Sequence, residues 1–138
     1  MRIMVDTNVL ISLLVFSSKK MNQMMECIFM NHQLVLSSYI VEELKDVVKR
    51  KFSNKVRVID TLLAKMNYEY VYTPDIMDDA LFEIRDVKDY PVLYTAILED
   101  VDILVTGDSD FSDVDVAKPE ILTPAEFVER HCDNLTDM

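Results

Sequence analysis

Short apolar segments alternate along the chain with longer stretches in which apolar residues recur every three or four positions. Residues 2–5 and 101–105 are almost wholly apolar, which is typical of strands buried on both faces of a parallel sheet. Residues 18–31 instead carry methionines and other apolar side chains at the i, i+3, i+4, i+7 spacing of an amphipathic helix. The alternation predicts an α/β fold in which helices cover both faces of a parallel sheet.

The same pattern predicts the position of each element. The predicted strands span residues 2–5, 33–36, 68–72, 101–105 and 120–122. The predicted helices span residues 9–16, 18–31, 38–50, 56–66, 78–84, 90–99 and a C-terminal segment from residue 124. Capping signals support two of these helices: Thr7 or Asn8 precedes the first, and Thr123 and Glu126 frame Pro124 as a capping box at the last.

Length and composition fit one domain that spans residues 1–138. Half of the 138 residues are hydrophobic, and no linker or repeat interrupts the pattern. The single glycine, Gly107, excludes glycine-rich phosphate loops and dinucleotide fingerprints. No apolar run reaches the ~18 residues of a membrane span, and no signal peptide is evident. We therefore expect a cytoplasmic protein without membrane contact, in which Cys27 and Cys132 are reduced thiols.

The net charge of −11 argues against non-specific adhesion to nucleic acids or acidic membranes. It is compatible with an enzyme that holds divalent cations between its carboxylates and a phosphate. Residues 45–57 have a local basic excess, in which the one acid, Asp46, is outnumbered by Lys45, Lys49, Arg50, Lys51, Lys55 and Arg57. Two interpretations stay open: contact with an RNA backbone, or a solvated helix end whose cations complement the helix dipole.

Acidic residues follow two of the predicted strands. Asp6 comes directly after strand 2–5, and Asp108 and Asp110 follow strand 101–105. In parallel α/β sheets, ligands gather at the carboxyl ends of the strands. If these two strands are neighbours, the acids share one rim of the sheet.

Two further acids can reach this rim. On the 38–50 helix, a wheel at 100° per residue places Glu43 at the edge of the apolar face and Glu42 towards solvent. Asp89 stands where the 90–99 helix begins, and it is interpreted either as a plain N-cap or as a site acid. Crowded carboxylates repel one another, whereas Mg²⁺ or Mn²⁺ prefers such oxygen ligands and can activate water at a phosphodiester.

Three sequence blocks resemble the PIN-domain ribonucleases, and among them the PIN-type toxins of prokaryotic toxin–antitoxin pairs. They are VDTNVLIS at residues 5–12, SSYIVEEL at 37–44, and RDVKDYPVL at 85–93 continuing to LVTGDSDF at 104–111. The resemblance covers nearly the whole chain. It implies a three-layer α/β/α sandwich around a mostly parallel sheet of about five strands.

The resemblance also implies metal-dependent RNA cleavage and a set of site residues. Asp6, Glu43, Asp89 and Asp108 would be the catalytic acids, and Asp6, Asp89 and Asp108 would hold Mg²⁺ or Mn²⁺. Asn8 and Thr106 would support this shell, and Asp110 would serve a second ion. Asp86 competes with Asp89 as the third acid, and we prefer Asp89 because it stands at the helix start. The basic residues Lys45, Lys49, Arg50 and Lys51 are weaker candidates for RNA contact.

A PIN-type toxin would have an RNA substrate and a small antitoxin that covers or occupies the acidic site. A homodimer is also common in the family. The alternative function is a PIN-like module that binds RNA or protein with little catalysis, which the acidic surface favours and the complete set of acids opposes.

Overall fold

A computed structural model describes residues 1–16 and 18–132 and contains, in that part of the chain, five strands in one sheet. The strands are β1 (Arg2–Val5), β2 (Gln33–Ser37), β3 (Glu69–Val71), β4 (Ile103–Val105) and β5 (Glu120–Leu122). Their order is β3-β2-β1-β4-β5, and each neighbouring pair is parallel. The predicted five-stranded parallel sheet is confirmed, with strand ends within two residues of the predicted ones.

In the described residues, six α-helices pack around this sheet. They are α1 (Thr7–Leu14), α2 (Lys19–Asn31), α3 (Ser38–Lys51), α4 (Val56–Lys65), α5 (Tyr90–Leu98) and α6 (Pro124–His131). The consecutive residues Ile3, Met4 and Val5 are all fully buried. Because successive side chains of a strand point to opposite faces, both faces of the sheet must be covered, as in the predicted three-layer sandwich. Within the described ranges, no helix is long and apolar enough to cross a membrane.

The capping box at the last helix is confirmed, whereas the cap of the first helix differs from the prediction. Thr123 and Glu126 exchange the two reciprocal hydrogen bonds of the box. At α1, however, Asp6 is the N-cap, and its Oδ1 accepts a 2.9 Å hydrogen bond from the Val9 amide. Thr7 is already the first helical residue, so Asp6 combines a structural role with its place at the end of β1.

The helix predicted at residues 78–84 is wrong. These residues belong to the irregular connection between β3 and α5. The Asp78 carboxylate accepts a 2.9 Å hydrogen bond from the Ala80 amide, a local alternative to the helical pattern. Phe82 meanwhile stacks on Tyr90 with ring centroids 4.3 Å apart. Local side-chain bonding and tertiary packing therefore override the short apolar pattern.

The prediction of two reduced thiols is also wrong, because the structure has a disulfide between Cys27 and Cys132. Cys27 lies on α2, Cys132 directly follows α6, and both are buried. Their Cα atoms are 5.9 Å apart, within the range that disulfides require. The linear spacing of 105 residues gave no sign of this pairing, which depends on the packing of α2 against α6. The predicted domain also includes residues 133–138, which lie outside the described residues.

We expect Cys132→Ser to lower the free energy of unfolding by about 2–5 kcal/mol, because the disulfide closes a long loop and restricts the unfolded chain. Urea denaturation with and without a reductant checks this. The wild type should lose stability when reduced and approach the variant, whose own midpoint should not respond to reductant. A wild-type midpoint that is unchanged by reduction would contradict the stabilising role of the disulfide.

Candidate metal centre

The sheet reverses its winding between β1 and β4. The chain adds β2 and β3 on one side of β1 and then returns to place β4 on the other side. Val5 pairs with Val105, and the Asp6 amide donates a 3.1 Å hydrogen bond to the Val105 carbonyl, so the segments after both strands leave the sheet side by side. Such switch points form the crevice in which open α/β sheets bind ligands.

Asp6 is a buried carboxylate at this crevice, with 6% of its surface exposed. Its Oδ1 accepts from the Val9 amide, and its Oδ2 accepts from the Thr106 hydroxyl. Burial raises the pKa of Asp6, the two hydrogen bonds act in the opposite direction, and the charges of Asp108 and Glu43 raise it further. Together these effects raise the pKa of Asp6. Its charged form is therefore less stable than in water, and a bound cation would stabilise it.

Thr106 holds two parts of the site together. Its hydroxyl donates to Asp6 and accepts a 3.0 Å hydrogen bond from the Asp108 amide. Since Thr106 is buried, water does not readily replace either bond. The predicted supporting role of Thr106 therefore has a physical basis in these two contacts.

We expect Thr106→Val to lower the free energy of unfolding by about 1–3 kcal/mol, because it leaves the Asp6 Oδ2 and the Asp108 amide each without a partner. The same substitution should raise the pKa of Asp6 further, since it removes a hydrogen bond to the charged form. Urea denaturation measures the loss. Thr106→Ser keeps the hydroxyl and should stay closer to wild type; a Thr106→Val variant as stable as the wild type would contradict the role of the hydroxyl.

Asp108 and Asp110 form a short turn after β4. The Asp108 Oδ1 accepts a 2.9 Å hydrogen bond from the Asp110 amide. Arg85 approaches this turn from the β3–α5 connection, with its Nε 3.6 Å from Asp110 and its Nη2 2.9 Å from Asp113. Arg85 is thus the cation closest to the acids in these contacts, and it is largely exposed.

Glu43 reaches the rim from α3. It is half-buried, whereas its neighbour Glu42 is exposed, in agreement with the helical-wheel argument. The Glu43 charge acts on Asp6, which places the two carboxylates in one electrostatic cluster. Sequence reasoning missed Tyr39, which lies one helical turn before Glu43 and whose hydroxyl donates a 3.1 Å hydrogen bond to the Lys88 carbonyl. That i, i+4 relation to Glu43 was the available signal.

Asp89 stands at the start of α5, but its side chain makes no capping hydrogen bond within the described chain. Its Oδ2 is buried and has no hydrogen-bond partner among the described residues. Burial, the neighbouring Asp108 and the charges of Asp86 and Asp110 raise the pKa of Asp89 to about 7. The plain N-cap interpretation therefore does not describe this carboxylate, which faces other acids.

The structure also brings Asp86 into the cluster. One carboxylate oxygen from each of Asp86, Asp89 and Asp110 lies within 4.8 Å of the others. Asp86 uses its Oδ1 to accept a 2.9 Å hydrogen bond from the Lys88 amide, so its position is fixed by the turn before α5. Both rivals for the third acid are therefore at the site, and the preference for Asp89 stays a prediction.

This donor set fits a hard divalent cation. All its ligand atoms are carboxylate oxygens, which Mg²⁺ and Mn²⁺ prefer, and the pKa of Asp89 is raised first by burial and then by the neighbouring acids. A cation between these groups would reverse the sign of their mutual interaction.

The other candidates are exposed and, within the described residues, make no hydrogen bond or ion pair with the acids of the cluster. Asn8 is exposed on the first turn of α1, next to Asp6, and its supporting role stays a prediction. The four basic candidates are exposed on the second half of α3: Lys45, Lys49, Arg50 and Lys51. At ~1.5 Å per residue, Arg50 is about 10 Å along the helix from Glu43, and it pairs with Asp46 at 3.1 Å. Their RNA contact also stays a prediction.

The structure combines a parallel sheet with a cluster of carboxylates at its switch point. These features define an α/β protein whose candidate site suits cation-dependent chemistry. A family model described as "PIN domain" matches residues 2–110, which is most of the chain. The chain therefore belongs to the PIN-domain family, as its sequence blocks suggested.

Two solved structures are similar to this fold. The first is VapBC2 from Rickettsia felis bound to a DNA fragment from its promoter, with 18% identity, a TM-score of 0.66, and coverage of 88% of this chain and 97% of the other. The second is VapC20 from Mycobacterium tuberculosis, described as a toxin that cleaves the sarcin–ricin loop, with 11% identity, a TM-score of 0.56, and coverage of 80% and 92%. No curated protein sequence gives a significant match.

Proposed function

We propose that the chain is a divalent-metal-dependent endoribonuclease and the toxin component of a toxin–antitoxin pair. One observation carries this proposal: acids far apart in the sequence gather at the switch point of the sheet. Asp6 and Asp108 follow adjacent strands, Glu43 reaches the same cluster from the second turn of α3, and Asp89 reaches it from the start of α5. Membership of the PIN-domain family supports nuclease chemistry at this place.

Asp6, Asp89 and Asp108 are the residues that would hold Mg²⁺ or Mn²⁺, and Asp110 would serve a second ion. Asp86 stays the alternative to Asp89, because the carboxylate oxygens that lie within 4.8 Å of one another are those of Asp86, Asp89 and Asp110. When bound, such a cation activates water and neutralises charge that develops on the phosphodiester.

The protein's own groups position this chemistry. Thr106 fixes the Asp6 carboxylate through its hydroxyl, and the Val9 amide fixes the other oxygen. Glu43, whose charge acts on Asp6, would accept a hydrogen bond from the attacking water and so orient it. The crevice would thus supply a set of oxygens for a cation that the reacting phosphate approaches.

The similar structures support the proposed partners. VapBC2 is a complex, which supports a small antitoxin as the partner of this chain, and VapC20 cleaves an RNA loop, which supports an RNA substrate. A basic side chain of the antitoxin would complement the carboxylate cluster. A homodimer and a cytoplasmic location are further proposals that follow from the family.

A binding module with little catalysis is the second candidate, and the net charge of −11 favours it. The two functions differ in their use of a cation. A nuclease should be stabilised by Mn²⁺ at the carboxylate cluster and should cleave RNA only with the ion present, whereas a pure binding module has no need of either property.

The test is incubation with a pool of structured RNAs, with and without Mn²⁺, for the wild type, Glu43→Gln and Asp46→Asn. We expect Mn²⁺-dependent cleavage by the wild type and a reduction of about 10²-fold or more for Glu43→Gln, because the negative charge is lost and one of the two acceptor oxygens becomes a donor. Asp46→Asn removes an exposed acid three residues further along α3 and should cleave like the wild type. Equal activity of all three proteins, or cleavage without the ion, would contradict the proposal.

A further inference from the structure

A cleft of about 370 Å³ lies at the carboxyl end of β3, beside the candidate metal centre. Tyrosine rings form part of its wall, at Tyr39, Tyr70 and Tyr72, and Pro74 and Pro91 add apolar surface. Two acids, Glu42 and Asp75, also line it, whereas no lysine, arginine or histidine does so among the described residues. The cleft is therefore aromatic and uncharged or negative, which suits a flat neutral group and repels a phosphate.

Two of these rings are unusually open to solvent. Tyr70 is 42% exposed and Tyr72 is 75% exposed, although aromatic rings are the side chains that gain most from burial. The two rings meet edge to face, with centroids 5.2 Å apart and an interplanar angle of 85°. Part of each ring stays open to solvent at the cleft. This open surface has no partner in the described part of the chain and is available to a ligand.

The backbone below the rings is fixed. The Thr73 amide donates a 2.9 Å hydrogen bond to the Ser38 hydroxyl. The Thr95 hydroxyl donates to the Thr73 hydroxyl at 2.9 Å, which ties the end of β3 to α5. A ligand that entered the cleft would meet a preorganised wall and would pay little to order it.

One residue joins the cleft to the acids. Tyr39 lines the cleft, its hydroxyl donates to the Lys88 carbonyl next to Asp89, and it is also within hydrogen-bonding reach of Glu43. Pro91, on the same wall, is only two residues after Asp89. A nucleotide whose phosphate lay at the carboxylates would therefore have its neighbouring base directed at the cleft.

We propose that this cleft binds an unstacked base of single-stranded RNA next to the phosphate that is cut, by stacking it on the face of Tyr72, with Tyr70 beside it. Aromatic side chains stack on any base because every base has a π face, and a base can enter such a cleft only when it is not held in a duplex. The proposal rests on the proposed ribonuclease function, and it restricts the substrate to single strands, loops or bulges.

The binding test uses a fluorescently labelled, cleavage-resistant 2′-O-methyl RNA octamer, single-stranded or annealed to its complement, measured by anisotropy in Mn²⁺. We expect Tyr72→Ala to weaken binding of the single strand roughly 5- to 100-fold, the range that loss of one stacking contact gives. Tyr72→Phe keeps the ring and should bind like the wild type. Phe29→Ala removes a 40%-exposed ring of α2 outside the cleft and is the matched control.

Kinetics give a second readout with a cleavable single strand. Tyr72→Ala should raise KM by a similar factor and leave kcat within about threefold, because the ring binds a base away from the reacting atoms. Because Tyr72 is largely exposed, the Tyr72→Ala variant should have the same melting temperature as the wild type.

Several results would overturn the inference. They are unchanged affinity and KM in Tyr72→Ala, equal weakening by Phe29→Ala, tighter binding of the duplex than of the single strand, or a Tyr72 effect on a co-purified protein partner but not on RNA. If the wild type cleaves RNA normally while Tyr72→Ala is unaffected, only the base site is wrong. If the wild type neither binds nor cleaves RNA, the proposed function itself fails.

Discussion

Asp6→Asn should abolish Mn²⁺-dependent RNA cleavage, with a loss of at least ~10²-fold. The substitution removes the charge from the carboxylate at the centre of the switch-point crevice, between the Val9 amide and the Thr106 hydroxyl. A neutral amide is a poor ligand for a hard divalent cation compared with a carboxylate. The measurement is the initial cleavage rate in a pool of structured RNAs with Mn²⁺.

The fold of Asp6→Asn should survive, and its unfolding midpoint without metal should equal or exceed that of the wild type. Asparagine is a good helix N-cap, so the bond from the Val9 amide is retained. The variant also removes a buried charge whose pKa burial raises, and with it the repulsion from Asp108 and Glu43. Circular dichroism and urea denaturation separate this outcome from simple unfolding.

Asp60→Asn is the matched control, because Asp60 is an exposed acid on α4 away from the acidic cluster. It should keep wild-type cleavage and wild-type stabilisation by Mn²⁺. Full Mn²⁺-dependent activity in Asp6→Asn, with the control equally active, would remove the catalytic role of Asp6.

The second large effect is a pH-dependent stabilisation by Mn²⁺ that depends on Asp89. Without metal, the wild type should lose stability relative to Asp89→Asn as the pH rises from about 4 to about 7. Burial and the neighbouring acids raise the pKa of Asp89 to about 7 in the folded state, above the ~3.9 of an unfolded aspartate. Between these two values the folded state binds more protons than the unfolded state, so the free energy of unfolding falls with pH.

Mn²⁺ should reverse this trend. The ion replaces the proton at the carboxylates, so its stabilising effect should be small at pH 5 and largest above pH 7, where the acids are charged. Because Asp89 is partly exposed to solvent, we expect a change of only about 1–2 kcal/mol in the metal-free protein. Thermal melts at pH 5, 6, 7 and 8, with and without Mn²⁺, measure both trends.

Asp89→Asn should flatten the metal-free pH profile and reduce the Mn²⁺ effect, whereas Asp60→Asn should change neither. Metal-free profiles of the wild type and Asp89→Asn that run parallel between pH 4 and pH 7 would show that Asp89 does not titrate as described. Stabilisation by Mn²⁺ that is equal at pH 5 and pH 8 would argue against binding by the acidic cluster.

Local sequence patterns predicted the strands and the long helices correctly where apolar residues filled one face of the element. The almost wholly apolar β1 and β4 became interior strands, and the capping box at Thr123 started α6 where the spacing required. The 78–84 segment shows the limit of this reasoning, because a few apolar residues at helical spacing lost to the hydrogen bonds of Asp78 and the stacking of Phe82. Short segments have too little intrinsic preference to resist such contacts.

The candidate site, too, was predictable from the sequence only where the signal was local. Position after a strand indicated Asp6 and Asp108, and helical periodicity separated Glu43 from Glu42, because both signals are local. Which of Asp86 and Asp89 faces the cluster depends on how the turn before α5 is folded, and the structure brings both to it. Tyr39 gained its contact with the Lys88 carbonyl only through the packing of α3 against the same turn.

The sequence by itself determined the parallel α/β class, the order of the strands and helices along the chain, and the acids that follow β1 and β4. All three follow from the spacing of apolar and polar side chains. Only the tertiary structure decided that β1 and β4 are neighbours, that Cys27 bonds to Cys132, and that three tyrosines form a cleft beside the carboxylates. Each of these depends on contacts between residues distant in the chain, and the spacing of residues along a sequence carries no direct record of which distant segments pack together.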